Sequence, residues 1–157
     1  MDSALRLILR LLLIPTGVIV AAFVQAMIVL FGQWQIDAVV ARIRDPQDAM
    51  AFSGAVLLAG FLTAAYLALV WTIGAIGILF SEAFAVRSWL FHLANGALSA
   101  FVAVQVFPAL MDEPAPLEDR FYILAAGFAG GLVYWLIAGW SAGFWKSVLT
   151  PPRAPAP

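Results

Sequence analysis

Four stretches of this 157-residue chain, residues 11–36, 49–81, 88–111 and 121–145, contain no Asp, Glu, Lys or Arg. Each exceeds the roughly 20 residues that a helix needs to cross about 30 Å of hydrocarbon. A bilayer offers no water to pair backbone amides, so such segments close their hydrogen bonds internally and are helical. Hydrophobic residues make up 64% of the chain and charged residues 11%, whereas soluble domains run at about half and about a quarter. Mean hydropathy is +1.00. A chain of this length cannot bury that much apolar surface in one water-soluble core, and lipid is its natural solvent. The expected fold is all-α: a polytopic membrane protein with a four-helix transmembrane bundle. Its spans fall at about 11–32, 50–80, 88–110 and 121–145, within a single domain of residues 1–149. The second window, 33 residues, would extend about 50 Å as a helix, so it must tilt, protrude or break near Gly74 and Gly77.

The N-terminus has the outline of a secretory signal, with Arg6 and Arg10, an apolar run, then Val24, Gln25 and Ala26. A signal gives way to polar sequence, but here the apolar run continues through residues 27–31, which favours an uncleaved first span. Between the first two spans, Ile36, Val39, Val40 and Ile43 recur at helical spacing while Asp37, Ala41 and Arg44 turn away. Led by Trp34 and closed by Pro46, this reads as a short amphipathic interfacial helix within residues 33–48. Residues 81–87 form a tight turn. The acids Asp112, Glu113, Glu118 and Asp119 share their segment with Pro114 and Pro116, which makes a solvated loop; they lack the regular spacing of a calcium loop. Residues 150–157 form a proline-rich, extended tail. Trp34, Trp89 and Trp145 fall at the expected interfaces as anchors, while Trp71 and Trp135 fall deeper and pack between helices.

Charge sets the orientation. Arg6, Arg10, Arg87, Lys146 and Arg153 lie on the side shared by the N-terminus, the second loop and the tail, against Arg42, Arg44 and Arg120 on the other. The positive-inside rule therefore puts both termini in the cytoplasm. A net charge of −1 gives no basic balance for nucleic acid, and the lack of cysteine removes thiolate metal sites and thiol nucleophiles.

The third span carries the polar face. Ser88, His92, Asn95 and Ser99 recur at steps of four, three and four, beside small residues Gly96, Ala100 and Ala103. Polar groups in a membrane turn toward other helices, either as interhelical glue or as a pathway for a proton, ion or solute. No acid or base sits mid-window to complete a relay. Haem inside a bundle commonly takes two axial ligands, and with His92 the single histidine a site here needs a methionine ligand, an open position or a second chain, so no cofactor or metal is expected. Glu82 and Arg87 bracket the second loop and can pair across it, and Gln25 and Gln105 are candidates for interhelical hydrogen bonds. The fourth span has Gly127, Gly131, Trp135, Gly139 and Gly143 on one i+4 row, and the second offers a matching row in Gly60, Ala64 and Ala68. Such rows let backbones approach closely, inside the bundle or against a partner. Serine-hydrolase, zinc-protease, phosphate-loop and dinucleotide motifs are missing, so no catalytic residue is assigned.

The motif Leu-Ile-Pro-Thr-Gly at 13–17, with Tyr-Trp-Leu-Ile-Ala-Gly at 134–139 and Ser-Ala-Gly at 141–143, resembles small four-span inner-membrane proteins of unassigned function from alphaproteobacteria. The resemblance implies a bacterial inner-membrane location and brings no activity or site residue. Taken together, the sequence points to a non-catalytic membrane protein, an accessory or scaffold subunit. Its partners would be lipid together with other membrane subunits or further copies of itself. The alternative is a small oligomeric transporter or channel using His92, Asn95 and Ser99.

Overall fold

The computed structural model describes residues 2–33, 46–113, 115 and 119–143. Among the described residues four α-helices follow one another: α1 (Asp2–Gln33), α2 (Pro46–Phe84), α3 (Trp89–Met111) and α4 (Arg120–Ile137), with a 3-10 turn at Gly139–Ser141. No strand occurs among the described residues. Leu5–Leu30, Phe52–Phe84 and Trp89–Met111 are long and apolar enough to cross a membrane, whereas the apolar part of α4, Phe121–Ile137, is shorter.

Burial is arranged for lipid. Leu11, Ile19, Leu57, Phe61, Ile76 and Phe121 face outward, while Arg10, Gln25, Thr63, Ser81, His92 and Ser99 are buried. Lipid supplies no drive to hide leucine, so helices associate through close packing of small residues and through internal hydrogen bonds. The α3–α4 contact shows how close that packing is. A Cβ at Gly96 would overlap the Gly127 carbonyl, and one at Gly131 would overlap the His92 carbonyl. Helix α4 packs extensively on both α3 and α1, whereas α2 rests mainly on α3 and touches α1 lightly. One core layer joins Val29, Tyr66, Val70, Ala103, Phe107 and Ile123. A second joins Ala21, Ile78, Tyr134 and Ala138. Tyr66 packs edge-on against Phe107, with centroids 6.0 Å apart, and its hydroxyl donates to the Ala100 carbonyl at 3.1 Å.

Several boundaries differ from expectation. Helix α1 starts at Asp2 and continues through Pro15, with the Thr16 hydroxyl bonded to the Leu12 carbonyl at 2.8 Å. Helix α2 is 39 residues long, about 58 Å at the α-helical rise, and does not break at Gly74 or Gly77. Those glycines instead make room for Asn95 and Ser99 of α3. Pro46 opens α2, a position where a missing N–H forfeits no intrahelical bond. Of the interfacial helix expected within 33–48, Gln33 belongs to α1 and residues 46–48 to α2, while residues 34–45 with Trp34, and likewise Trp145 and the tail at 150–157, lie outside the described residues. The fourth span was expected to reach 145, but α4 ends at Ile137.

Candidate functional site

The reason α4 ends early lies in a network at one end of the bundle. The Arg10 guanidinium, 4% exposed, pairs with Glu82 at the C-terminal end of α2. It also donates to the Ala138 carbonyl at 2.7 Å and to Ser141 Oγ at 2.8 Å. A cation at a helix C-terminus meets carbonyls that the helix itself cannot satisfy. Glu82 Oε2 accepts from the Gly143 amide at 3.1 Å, and Arg87 Nε donates to the Ala142 carbonyl at 3.0 Å. Side chains from α1, α2 and the α2–α3 turn thus take over backbone groups that a further helical turn would have paired. The chain turns tightly there: Gly143 has φ +72°, with Ala85 packed where its Cβ would be. The expected Glu82–Arg87 pair does not form, because Arg10 takes the carboxylate and Arg87 the turn. Arg10 is accordingly a buried structural residue and not a surface charge.

Deeper in the bundle lies a small cavity lined by Gln25, Trp71, Gly74, His92, Asn95, Ser99 and Tyr134, among others, with about 10 Å³ open to a water-sized molecule. Ser99 and His92 of the predicted face are buried; Asn95 is half-buried and Ser88 exposed. His92 Nε2 donates to the Val86 carbonyl at 3.3 Å. The Asn95 amide donates to the Gly74 carbonyl at 3.1 Å, and Ser99 Oγ to the Asn95 carbonyl at 2.7 Å. Trp71 and His92 both pack on Tyr134, with centroids 6.0 and 5.4 Å away. Asn95 and Ser99 also line an apolar groove of about 480 Å³ between α2 and α3, with Gly77, Phe80, Phe91 and Leu98. The predicted face therefore closes on one small cavity and separates it from the groove.

The glycine rows divide. Gly127 and Gly131 meet α3 backbone, Gly139 lies against the His92 ring and Gly143 against Ala85, so the α4 row is consumed inside the chain. Gly139 and Gly143 do so from beyond the helix end. The α2 row is not its match. Gly60, Ala64 and Ala68 are exposed, and a Cβ at Gly60 would meet nothing within 4 Å. Gly130, not singled out in the sequence, receives the Gln25 side chain; its adjacency to Gly131 lets α4 approach a different helix on each side. Gln25 is buried, but Gln105 is exposed. Trp89 is 52% exposed. Trp135 is half-buried at the end of the bundle rather than deep within it, with its indole N–H on the Arg87 carbonyl at 2.8 Å. Asp112 caps α3 in a left-handed conformation and Asp119 caps α4; Glu118 lies outside the described residues. No group of three metal-ligating side chains gathers among the described residues. No protein family, characterised protein or solved structure matches the chain.

Proposed function

We propose that this chain is a four-span protein of a bacterial inner membrane. Both its termini are cytoplasmic, and it serves as a non-catalytic accessory or scaffold subunit that docks partner helices on α2. The observation that carries this reading is the outward small-residue row Gly60, Ala64 and Ala68, flanked by exposed Leu57 and Phe61. Between Met50 and Leu62 no described side chain of α2 is buried, and the first buried one among those described is Thr63. A small-residue row lets another backbone approach closely, and no described residue fills this one at Gly60. The fourth crossing is α4 completed by the turn at Gly139–Ser141. The meeting of Arg10, Glu82 and Gly143 supports placing the first part of α1 and the chain following α4 on one side.

A photo-crosslinking amino acid at Ala64, activated in native membranes, tests the docking. The expected product is a discrete adduct whose mass identifies another subunit or a second copy, with none from the same probe at Phe121. Lipid adducts alone from both positions would contradict the reading. Reporter fusions active only in the cytoplasm should work at either terminus, and an inactive fusion would overturn the orientation.

A second reading, a small oligomeric transporter or channel, draws on the position of Asn95 and Ser99 between cavity and groove. It requires reconstituted solute flux that falls with Asn95→Leu.

A further inference from the structure

Six buried side-chain polar atoms lack a partner among the described residues: Arg10 Nε, Gln25 Oε1, Thr63 Oγ1, Trp71 Nε1, His92 Nδ1 and Tyr134 Oη. Four of them belong to residues lining the same cavity: Gln25, Trp71, His92 and Tyr134. Each of the four helices contributes one, Gln25 from α1, Trp71 from α2, His92 from α3 and Tyr134 from α4. Gln25, His92 and Tyr134 are each 1% exposed. The space left, about 10 Å³, is at the scale that admits one water molecule, about 10–15 Å³.

The donors and acceptors select among small ligands. The Val86 carbonyl can only accept, so the His92 Nε2 facing it carries the hydrogen. In a neutral imidazole Nδ1 is then an acceptor. Gln25 Oε1 accepts, Trp71 Nε1 only donates, and the Tyr134 hydroxyl can donate. Two donors and two acceptors match the tetrahedral set of water, which accepts twice and donates twice. Ammonium needs acceptors only, and a metal cation is repelled by the indole N–H. We infer that the bundle is built around one buried water molecule that joins all four helices. It accepts from Trp71 and Tyr134 and donates to Gln25 and His92.

His92 is the single histidine, so histidine labelled with nitrogen-15 gives a one-residue spectrum in lipid bilayers by solid-state NMR. The expected result is a neutral, Nε2-protonated ring whose Nδ1 shows a through-space contact to a water proton. Gly74→Ala tests the site without disturbing the packing, since the added methyl would meet Ser99 Oγ at an ordinary 3.4 Å while taking cavity space. That contact should disappear in Gly74→Ala and weaken in Trp71→Phe, with the helical signature of both variants unchanged. A charged ring, an Nδ1-protonated ring, or no water contact in the wild type would overturn the inference. So would a contact that persists undiminished in both variants.

Discussion

Replacing Glu82 with glutamine should be the most damaging polar substitution at the end of the bundle. Arg10 is 4% exposed, and its other acceptors, Ala138 O at 2.7 Å and Ser141 Oγ at 2.8 Å, are neutral. Removing the carboxylate charge leaves a guanidinium out of water with no counter-charge, and breaking a buried pair in this way costs about 3–5 kcal/mol. Glutamine preserves shape and one acceptor oxygen, so the lower figure, about 3 kcal/mol, is expected. The loss includes the charge-assisted bond to the Gly143 amide, so the turn after α4 should loosen first. Adding Arg10→Met to Glu82→Gln removes both charges and should restore most of the stability, because replacing a whole buried pair is often neutral. Reversible unfolding in mixed micelles, followed by circular dichroism and tryptophan fluorescence, measures all three proteins. A loss below about 1 kcal/mol for Glu82→Gln, the range of an exposed pair, would refute the reasoning. So would a double variant no better than the single one.

Gly131→Leu should destabilise the bundle by about 3 kcal/mol or more, because the side chain would strike the His92 carbonyl and the Leu93 backbone, which cannot rotate away; near-normal unfolding would contradict the α3–α4 contact. Asp119→Ala removes the carboxylate that accepts from the Phe121 amide at 2.8 Å and should cost about 0.5–2 kcal/mol, read in the same assay. Tyr66→Phe removes the bond to Ala100 and should cost about 0.6 kcal/mol, the average for hydrogen bonds measured within a membrane; a loss above about 2 kcal/mol would mean that the hydroxyl does more than bridge two helices.

The helical architecture was legible because the charge-free windows are so long, and three of them contain helices of spanning length. Boundaries were less so. Hydropathy treats Arg10 and Glu82 as ends of windows, yet antiparallel helices bring residues from opposite parts of the chain together, and a pair in contact no longer marks a surface. That pairing also explains why residues 138–143 do not continue α4: their apolar composition suits a helix, but Ala138, Ala142 and Gly143 have side-chain partners for their backbone groups. The polar face of α3 was readable as a face from its periodicity. Its partners Gln25, Trp71 and Tyr134 come from three other helices, and no local pattern signals their convergence. Glycine rows presented the opposite difficulty. The rows on α2 and α4 look alike as text, but one is filled by neighbouring backbone and the other is open.

Affinity purification of the chain from its native membranes in mild detergent, beside Gly60→Leu, tests the docking role most directly. Gly60 has open space around it, so leucine there should leave the chain folded and helical. The account predicts a stoichiometric companion, another subunit or a second copy, that is retained by the wild type and lost from Gly60→Leu. A wild-type chain that is reproducibly solitary, or a companion held equally by both proteins, would contradict it.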